Sequence, residues 1–232
     1  MIKKIALFFL LSLKPMIAQQ IIHNRSYTPE NSTFVFDIDD VILRKNEPIS
    51  SILWKHKFIL LKGLVNPFLL WKTISLWYHG APGEEYVTQL ENRSPELANI
   101  LKEILRNKEL IPETVEIIQE LKLRGYRLHI ASNMGANDFA FYKEKFPEVF
   151  GLFDIVKVVS FKQGSTVKKP SPLYFEDFLQ QCETHGENTK TKLFIDDKKV
   201  NIEASSSAGL VGIHFTSAQH LRQKLNDLHI LV

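Results

Sequence analysis

Phe-Val-Phe-Asp-Ile-Asp-Asp-Val, residues 34–41, decides how this 232-residue chain is read. Three apolar residues run into two aspartates, Asp37 and Asp39, spaced i and i+2. An apolar run that stops abruptly at charge is the pattern of a buried strand ending at a sheet edge. Side chains two apart on an extended segment point the same way, so Asp37 and Asp39 face one pocket. Two close carboxylates repel unless a cation lies between them or one keeps its proton. Two chemistries follow, a hard-metal site of oxygen ligands or a nucleophile beside a general acid. A turn with solvated aspartates is the plain alternative.

Three later segments repeat the pattern. Arg127–Asn133 is an apolar strand ending at Ser132 and Asn133, where a hydroxyl and free backbone N–H groups at a strand-to-helix junction suit a phosphate oxygen or an ordinary helix cap. Val167–Pro172 places Lys169 directly before a proline, which holds it extended or in a turn and aims its cation, while Lys168 reads as a solvated surface lysine. Lys192–Asp197 is a second buried strand ending in adjacent carboxylates, Asp196 and Asp197, with Asn201 one helical turn on. Turn chemistry alone does not explain two separate strands ending in aspartate pairs. In open α/β sheets, ligands bind outside the carboxyl ends of the strands near a topological switch point, so one mixed-charge pocket is expected here.

In this order, Asp-x-Asp, Ser, Lys-Pro and Asp-Asp resemble the haloacid dehalogenase-like (HAD) hydrolase superfamily over residues 33 to about 216. Ile111–Asn133 is similar to the family's approach to its second motif, and Phe194–Ala204 to its fourth. The resemblance implies an α/β fold: a Rossmann-like three-layer core around a parallel sheet, with a helical cap inserted after the first strand. It also implies roles. Asp37 is the nucleophile that attacks phosphorus to give an aspartyl-phosphate. Asp39 protonates the leaving oxygen and then activates the hydrolytic water. Ser132, Asn133 and nearby N–H groups hold the phosphate, and Lys169 neutralises the crowded oxygens and orients Asp37. Asp197, helped by Asp196, binds Mg²⁺ with Asp37 and the backbone carbonyl of Asp39. Phosphoryl transfer depends on positioning and charge compensation, which such a set supplies.

Asp39 bears on the reaction type. The dehalogenase branch of the family lacks this second aspartate, because a departing halide needs no proton. An alkoxide gains about 10²–10⁴-fold from general acid catalysis. A phosphomonoester phosphatase acting on a small or amphiphilic substrate is the leading expectation; a phosphomutase, another hydrolase of the family and a non-catalytic binding module are the alternatives. Asp40 stands where many relatives carry Gly or Asn and is expected to point to solvent.

With 44% hydrophobic residues the chain is long enough to bury a real core. Alternating patterns predict strands near 33–38, 127–131, 154–160, 192–195 and 210–214. They predict helices near 113–124, 137–146, 172–183, 199–207 and 217–226, the first closed by Gly125. The core is assigned to 19–45 and 111–232, and the cap to 46–110, where Ser94-Pro95 opens a helix carrying Leu97, Ile100, Leu101, Ile104 and Leu105. A single cysteine, Cys182, excludes an intramolecular disulfide, and His129 reads as a core strand residue.

The cap is cationic and apolar: it holds Trp54, Trp71 and Trp77, and Pro48–Gly83 contains Lys55, Lys57, Lys62 and Lys72 but no acid. Either the aromatics form its core with snorkelling lysines, or the cap meets an amphiphilic anion such as a lipid phosphate or a membrane surface. Met1–Ala18 pairs Lys3 and Lys4 with an apolar run, Ile5–Leu13, and a small residue at Ala18, which resembles a secretory signal. Export to the periplasm or outside is expected; an uncleaved N-terminal anchor or a cytoplasmic amphipathic helix are the alternatives. Three of the 29 basic residues and none of the 26 acidic ones lie in residues 1–18, so the remainder is balanced at 26 against 26. Nucleic acid is therefore not indicated as a partner.

Overall fold

A computed structural model describes residues 26–64, 83–159 and 167–231. The expected leader over 1–18, Trp71, Trp77 and Lys72 lie outside the described residues. No helix of the described residues is long and apolar enough to cross a membrane.

Five parallel strands form the central sheet in the order β5-β4-β1-β6-β7. These are β1 (Ser32–Phe36), β4 (Arg127–Gly135), β5 (Ile155–Val159), β6 (Thr191–Asp196) and β7 (Val211–His214). The period-2 alternation of β1 explains the layering. Phe34 and Phe36 enter one apolar cluster with Leu128, Ile130, Leu193 and Ile195, while Val35 enters another with Ala131 and Phe194. The first face is covered by α5 (Pro112–Leu123) and α10 (Ala218–Asp227), the second by α8 (Pro172–Thr184) and α9 (Lys199–Ser207). Buried on both sides, the strands read as continuous apolar runs, as parallel strands must.

Helix α5 ends as expected. Gly125 takes a φ of 87° and donates to Lys122 O, and Tyr126 N–H reaches back to Leu121 O. That pair of bonds is the Schellman arrangement, which a left-handed glycine permits.

The chain leaves the core through a two-stranded antiparallel ribbon absent from the sequence expectation, β2 (Leu43–Lys45) against β3 (Lys108–Leu110). Residues 108–110, assigned to the cap from sequence, form the return strand of this ribbon. Between the two strands lie α1 (Ile49–Lys55), α2 (Lys57–Leu64), α3 (Gly83–Glu91) and α4 (Pro95–Arg106). Helix α4 is the hub: Glu103 takes Lys55 and His56 at 2.8 Å each, and Lys102 pairs with Glu91 at 2.6 Å. It rests on the core through α6 (Ala136–Lys145), where Tyr142 donates to Leu105 O at 3.0 Å and Phe141 stacks under Arg106. A short α7 (Pro147–Phe150) follows.

The Trp54 side chain is not part of a cap core. It is 71% exposed and Phe58 is 72% exposed, with the Lys57 ammonium 4.1 Å from the Trp54 ring centroid.

Candidate active site

Strand order places the site. From β1 the chain builds outward through β4 and β5 on one side, then crosses to β6 and β7 on the other. The switch point lies between β1 and β6, where neighbouring crossovers diverge and leave a crevice beyond the strand ends. Asp37 follows the last residue of β1 and donates its N–H to Ile195 O at 2.9 Å. Asp196 ends β6 and Asp197 follows it. Oxygens of Asp37, Asp196 and Asp197 lie within 4.8 Å of one another.

Lys169 joins them. Its fully buried ammonium sits 3.0 Å from Asp37 Oδ2 and 2.7 Å from Asp196 Oδ2, and donates to Ala131 O at 2.8 Å. The lysine is fixed from behind by Asn133, whose Nδ2 donates to Lys169 O at 2.9 Å and whose Oδ1 accepts from Lys169 N–H at 2.8 Å. The Asn133 side chain, expected on phosphate, is thus directed to the Lys169 main chain.

Asp196 is saturated. Oδ1 accepts from Lys198 N–H and Asn201 Nδ2, and Oδ2 from Asn201 Nδ2 and Lys169 Nζ. Burial nonetheless pushes its carboxyl above the usual carboxylate range, and Asp37 adds to the rise against the pull of Lys169. Asp197 differs: its Oδ1 is buried without a hydrogen-bond partner, while His214 Nε2 lies 3.0 Å from its main-chain oxygen. Burial also raises the Asp197 carboxyl, with Lys198 opposing and Asp196, Asp37 and Asp40 reinforcing. A buried, unpaired carboxylate oxygen beside two more carboxylates is costly unless a cation meets it. All-oxygen donors of this kind fit a hard divalent ion such as Mg²⁺.

Ser132 is buried and lies within β4 rather than beyond it, because the strand expected over 127–131 continues through a register irregularity to Gly135. Its Oγ accepts from Met134 N–H at 3.3 Å. Asp39 contacts the Lys108 ammonium on β3, a partner sequence reasoning missed. Asp40 is exposed and holds the left-handed turn after β1 with a φ of 59°. Short polar side chains tolerate that conformation, which is where Gly or Asn would also fit.

A second buried cluster lies at the other end of the sheet. His129 is the core strand residue expected, but its Nε2 is 2.9 Å from Glu187 Oε2. Glu187 also accepts from Thr33 Oγ1 and Arg127 Nη1, each at 3.0 Å. Burial alone would raise this carboxyl; His129, Arg127 and Thr33 outweigh it and hold it at about 2.

A family profile described as haloacid dehalogenase-like hydrolase matches residues 32–209. A sesquiterpene phosphatase of Aspergillus oryzae is 31% identical over 112 residues, 48% of this chain and 54% of that protein. The matched segment thus spans about half the length of this curated relative. A HAD phosphatase from Thermococcus onnurineus superposes with a TM-score of 0.60 at 17% identity, over 84% of this chain and 98% of that one. A Bacteroides thetaiotaomicron HAD family enzyme, an alanine variant in complex with magnesium and inorganic phosphate, superposes with a TM-score of 0.56 at 14% identity, over 82% and 98% of the two chains. At these identities the structural likeness speaks for the fold, and the family match for the kinship: the chain is a member of the haloacid dehalogenase-like hydrolases.

Proposed function

We propose that this hydrolase is a Mg²⁺-dependent phosphomonoesterase working through an aspartyl-phosphate on Asp37. One observation carries the reading: Lys169 ties Asp37 to Asp196 while Asp197 Oδ1 stays buried and unpaired next to them. Asp37 and Asp197, with the backbone carbonyl of Asp39, are the residues that would hold the ion, and Asp196 keeps Lys169 in place. When bound, Mg²⁺ supplies positive charge to the phosphate and to Asp37.

The chain's own groups do the rest. Ile38 N–H donates to Asp37 Oδ1 at 2.7 Å and Lys169 holds Oδ2, so the carboxylate is oriented before substrate arrives. As an Asp37 oxygen bonds to phosphorus, the bond from phosphorus to the leaving oxygen breaks, and Asp39 gives that oxygen its proton. Water then attacks the phosphorus of the acyl-phosphate and loses a proton to Asp39, releasing phosphate and restoring Asp37. On this reading Ser132 Oγ and main-chain N–H groups near it hold the phosphoryl oxygens.

We further propose an amphiphilic substrate. Support comes from the exposed Trp54, Phe58 and Leu61 of α1 and α2, from the acid-free lysine-bearing stretch they belong to, and from the sesquiterpene phosphatase among the relatives. Exposed apolar side chains beside lysines suit an anionic head group on an apolar tail. We also propose export, on the leader pattern of residues 1–18; a reporter fused to those residues that stays in the cytoplasm would overturn it.

The test uses p-nitrophenyl phosphate, a sugar phosphate and a series of alkyl phosphates, with Mg²⁺ and with EDTA. Turnover abolished by EDTA and by Asp37→Asn is the expected result. KM should fall as the alkyl chain lengthens, and Trp54→Ala/Phe58→Ala should flatten that trend. Turnover surviving Asp37→Asn rejects the nucleophile, and an unchanged KM across the alkyl series rejects the amphiphile.

A further inference from the structure

Lys108 is the first residue of β3, the strand on which the chain comes back from the inserted helices. Its ammonium contacts Asp39 Oδ1 across 69 residues of sequence. The Lys108 side chain is 17% exposed and that of Asp39 is 37% exposed. A carboxyl so open to solvent has several rotamers available, and an ammonium on a paired strand restricts them. The strand is anchored on both sides: Lys108 is in register with Lys45 on β2, and its carbonyl accepts from Lys145 Nζ of α6 at 3.2 Å. The Lys108 ammonium also lies 5.9 Å from the Tyr142 ring centroid, against the aromatic surface on which α4 rests.

We propose that Lys108 is a positioning residue for proton transfer by Asp39. This rests on the reading of Asp39 as proton donor. In the first half-reaction the Asp39 O–H bond breaks as the new O–H bond forms on the leaving oxygen. The electron pair of the broken bond stays on the carboxyl group, and the Lys108 ammonium faces the charge that develops there. Because β3 closes the helical insertion, the same contact links the acid to the root of the cap. A substrate with a stable leaving anion departs without help, whereas an alkoxide needs the proton, so the effect of Lys108 must depend on the leaving group.

The experiment measures kcat/KM, which reports phosphorylation of Asp37, for p-nitrophenyl phosphate and a set of alkyl phosphates. The variants are Lys108→Met, Lys108→Arg, Asp39→Asn and the double variant Lys108→Met/Asp39→Asn. Expected is a loss of about 10–10²-fold on alkyl phosphates in Lys108→Met and a loss of no more than about 3-fold on p-nitrophenyl phosphate. Lys108→Arg should recover most of it, and the double variant should depend on the leaving group no more steeply than Asp39→Asn. If Asp39→Asn steepens that dependence while Lys108→Met lowers all substrates equally, Lys108 is structural and the inference fails. If Asp39→Asn leaves the dependence unchanged, the proton-donor reading itself falls. Folding is controlled with Lys108→Cys alkylated by 2-bromoethylamine in the native state, which rebuilds an ammonium; the native Cys182 is buried, and alkylated wild type serves as reference. Recovery of alkyl phosphate turnover on alkylation supports the inference, and no recovery overturns it.

Discussion

At the carboxyl ends of β1 and β6, Asp37, Asp196 and Asp197 gather around the ammonium of Lys169. At the amino ends of the same strands and β4, one carboxylate, Glu187, collects Thr33, His129 and Arg127. Both clusters are buried, yet their charge balances are opposite. The first has more acid than its cation answers and leaves Asp197 Oδ1 unpaired. The second has every oxygen of its acid engaged. An under-compensated cluster is poised to take up a cation and an anionic substrate, while a compensated one spends its acid on contacts within the fold. On the proposed function, the same sheet holds reaction at one end and stability at the other.

Removing acid from the first cluster should cost activity and not stability. Asp37→Asn is expected to lower phosphomonoester turnover by about 10⁴-fold or more, since on the proposed mechanism it removes the attacking carboxylate. Its melting temperature should hold or rise, because one repelling carboxylate is gone; a lower melting temperature would break the comparison. Removing the cation should hurt both properties. Lys169→Met leaves three carboxylates facing each other and should cost about 3–5 kcal/mol in urea unfolding, with turnover lost as well.

The second cluster should behave in reverse. Glu187→Gln is expected to lower stability by roughly 3 kcal/mol and to leave kcat within about 2-fold. Because the Glu187 carboxyl is held at about 2 in the fold against 4.5 when unperturbed, its contribution is complete above 4.5 and is lost as pH falls toward 2. Acid unfolding curves of the wild type should therefore steepen across that window, and those of Glu187→Gln should lack the component. The smallest effect concerns the metal. At about 100 times its Kd, Mg²⁺ should stabilise the protein by about 2.7 kcal/mol. Asp197→Asn should abolish this shift without lowering the melting temperature in EDTA, and an undiminished shift would move the ion away from Asp197.

Much of this was legible because the core elements announce themselves. The expected helix at 199–207 is observed over the same residues, and that at 172–183 runs to Thr184. Strand ends carrying Asp37 and Asp196-Asp197 stood out because parallel strands are apolar on both faces, so charge marks where they stop. The β2–β3 ribbon was not legible, since three-residue strands are too short to show a period. Nor did sequence place Ser132 inside β4, because the irregularity that prolongs the strand has no local signature. Glu187 and Lys108 were missed for another reason. Their partners His129 and Asp39 lie 58 and 69 residues away, and an isolated charge in a sequence looks like a solvated one.

The amino-acid order alone determined the family, the α/β layering and which acids stand at the strand ends, because burial period and motif residues are local properties of the chain. Only the tertiary structure decided how those acids divide their work: Asp196 spent on Lys169 and Asn201, Asp197 left open, Asn133 turned onto the lysine's main chain, Asp39 met by Lys108. Pairing of charges depends on distances of a few ångströms between residues far apart in sequence, and crossover connections, not neighbours along the chain, set those distances.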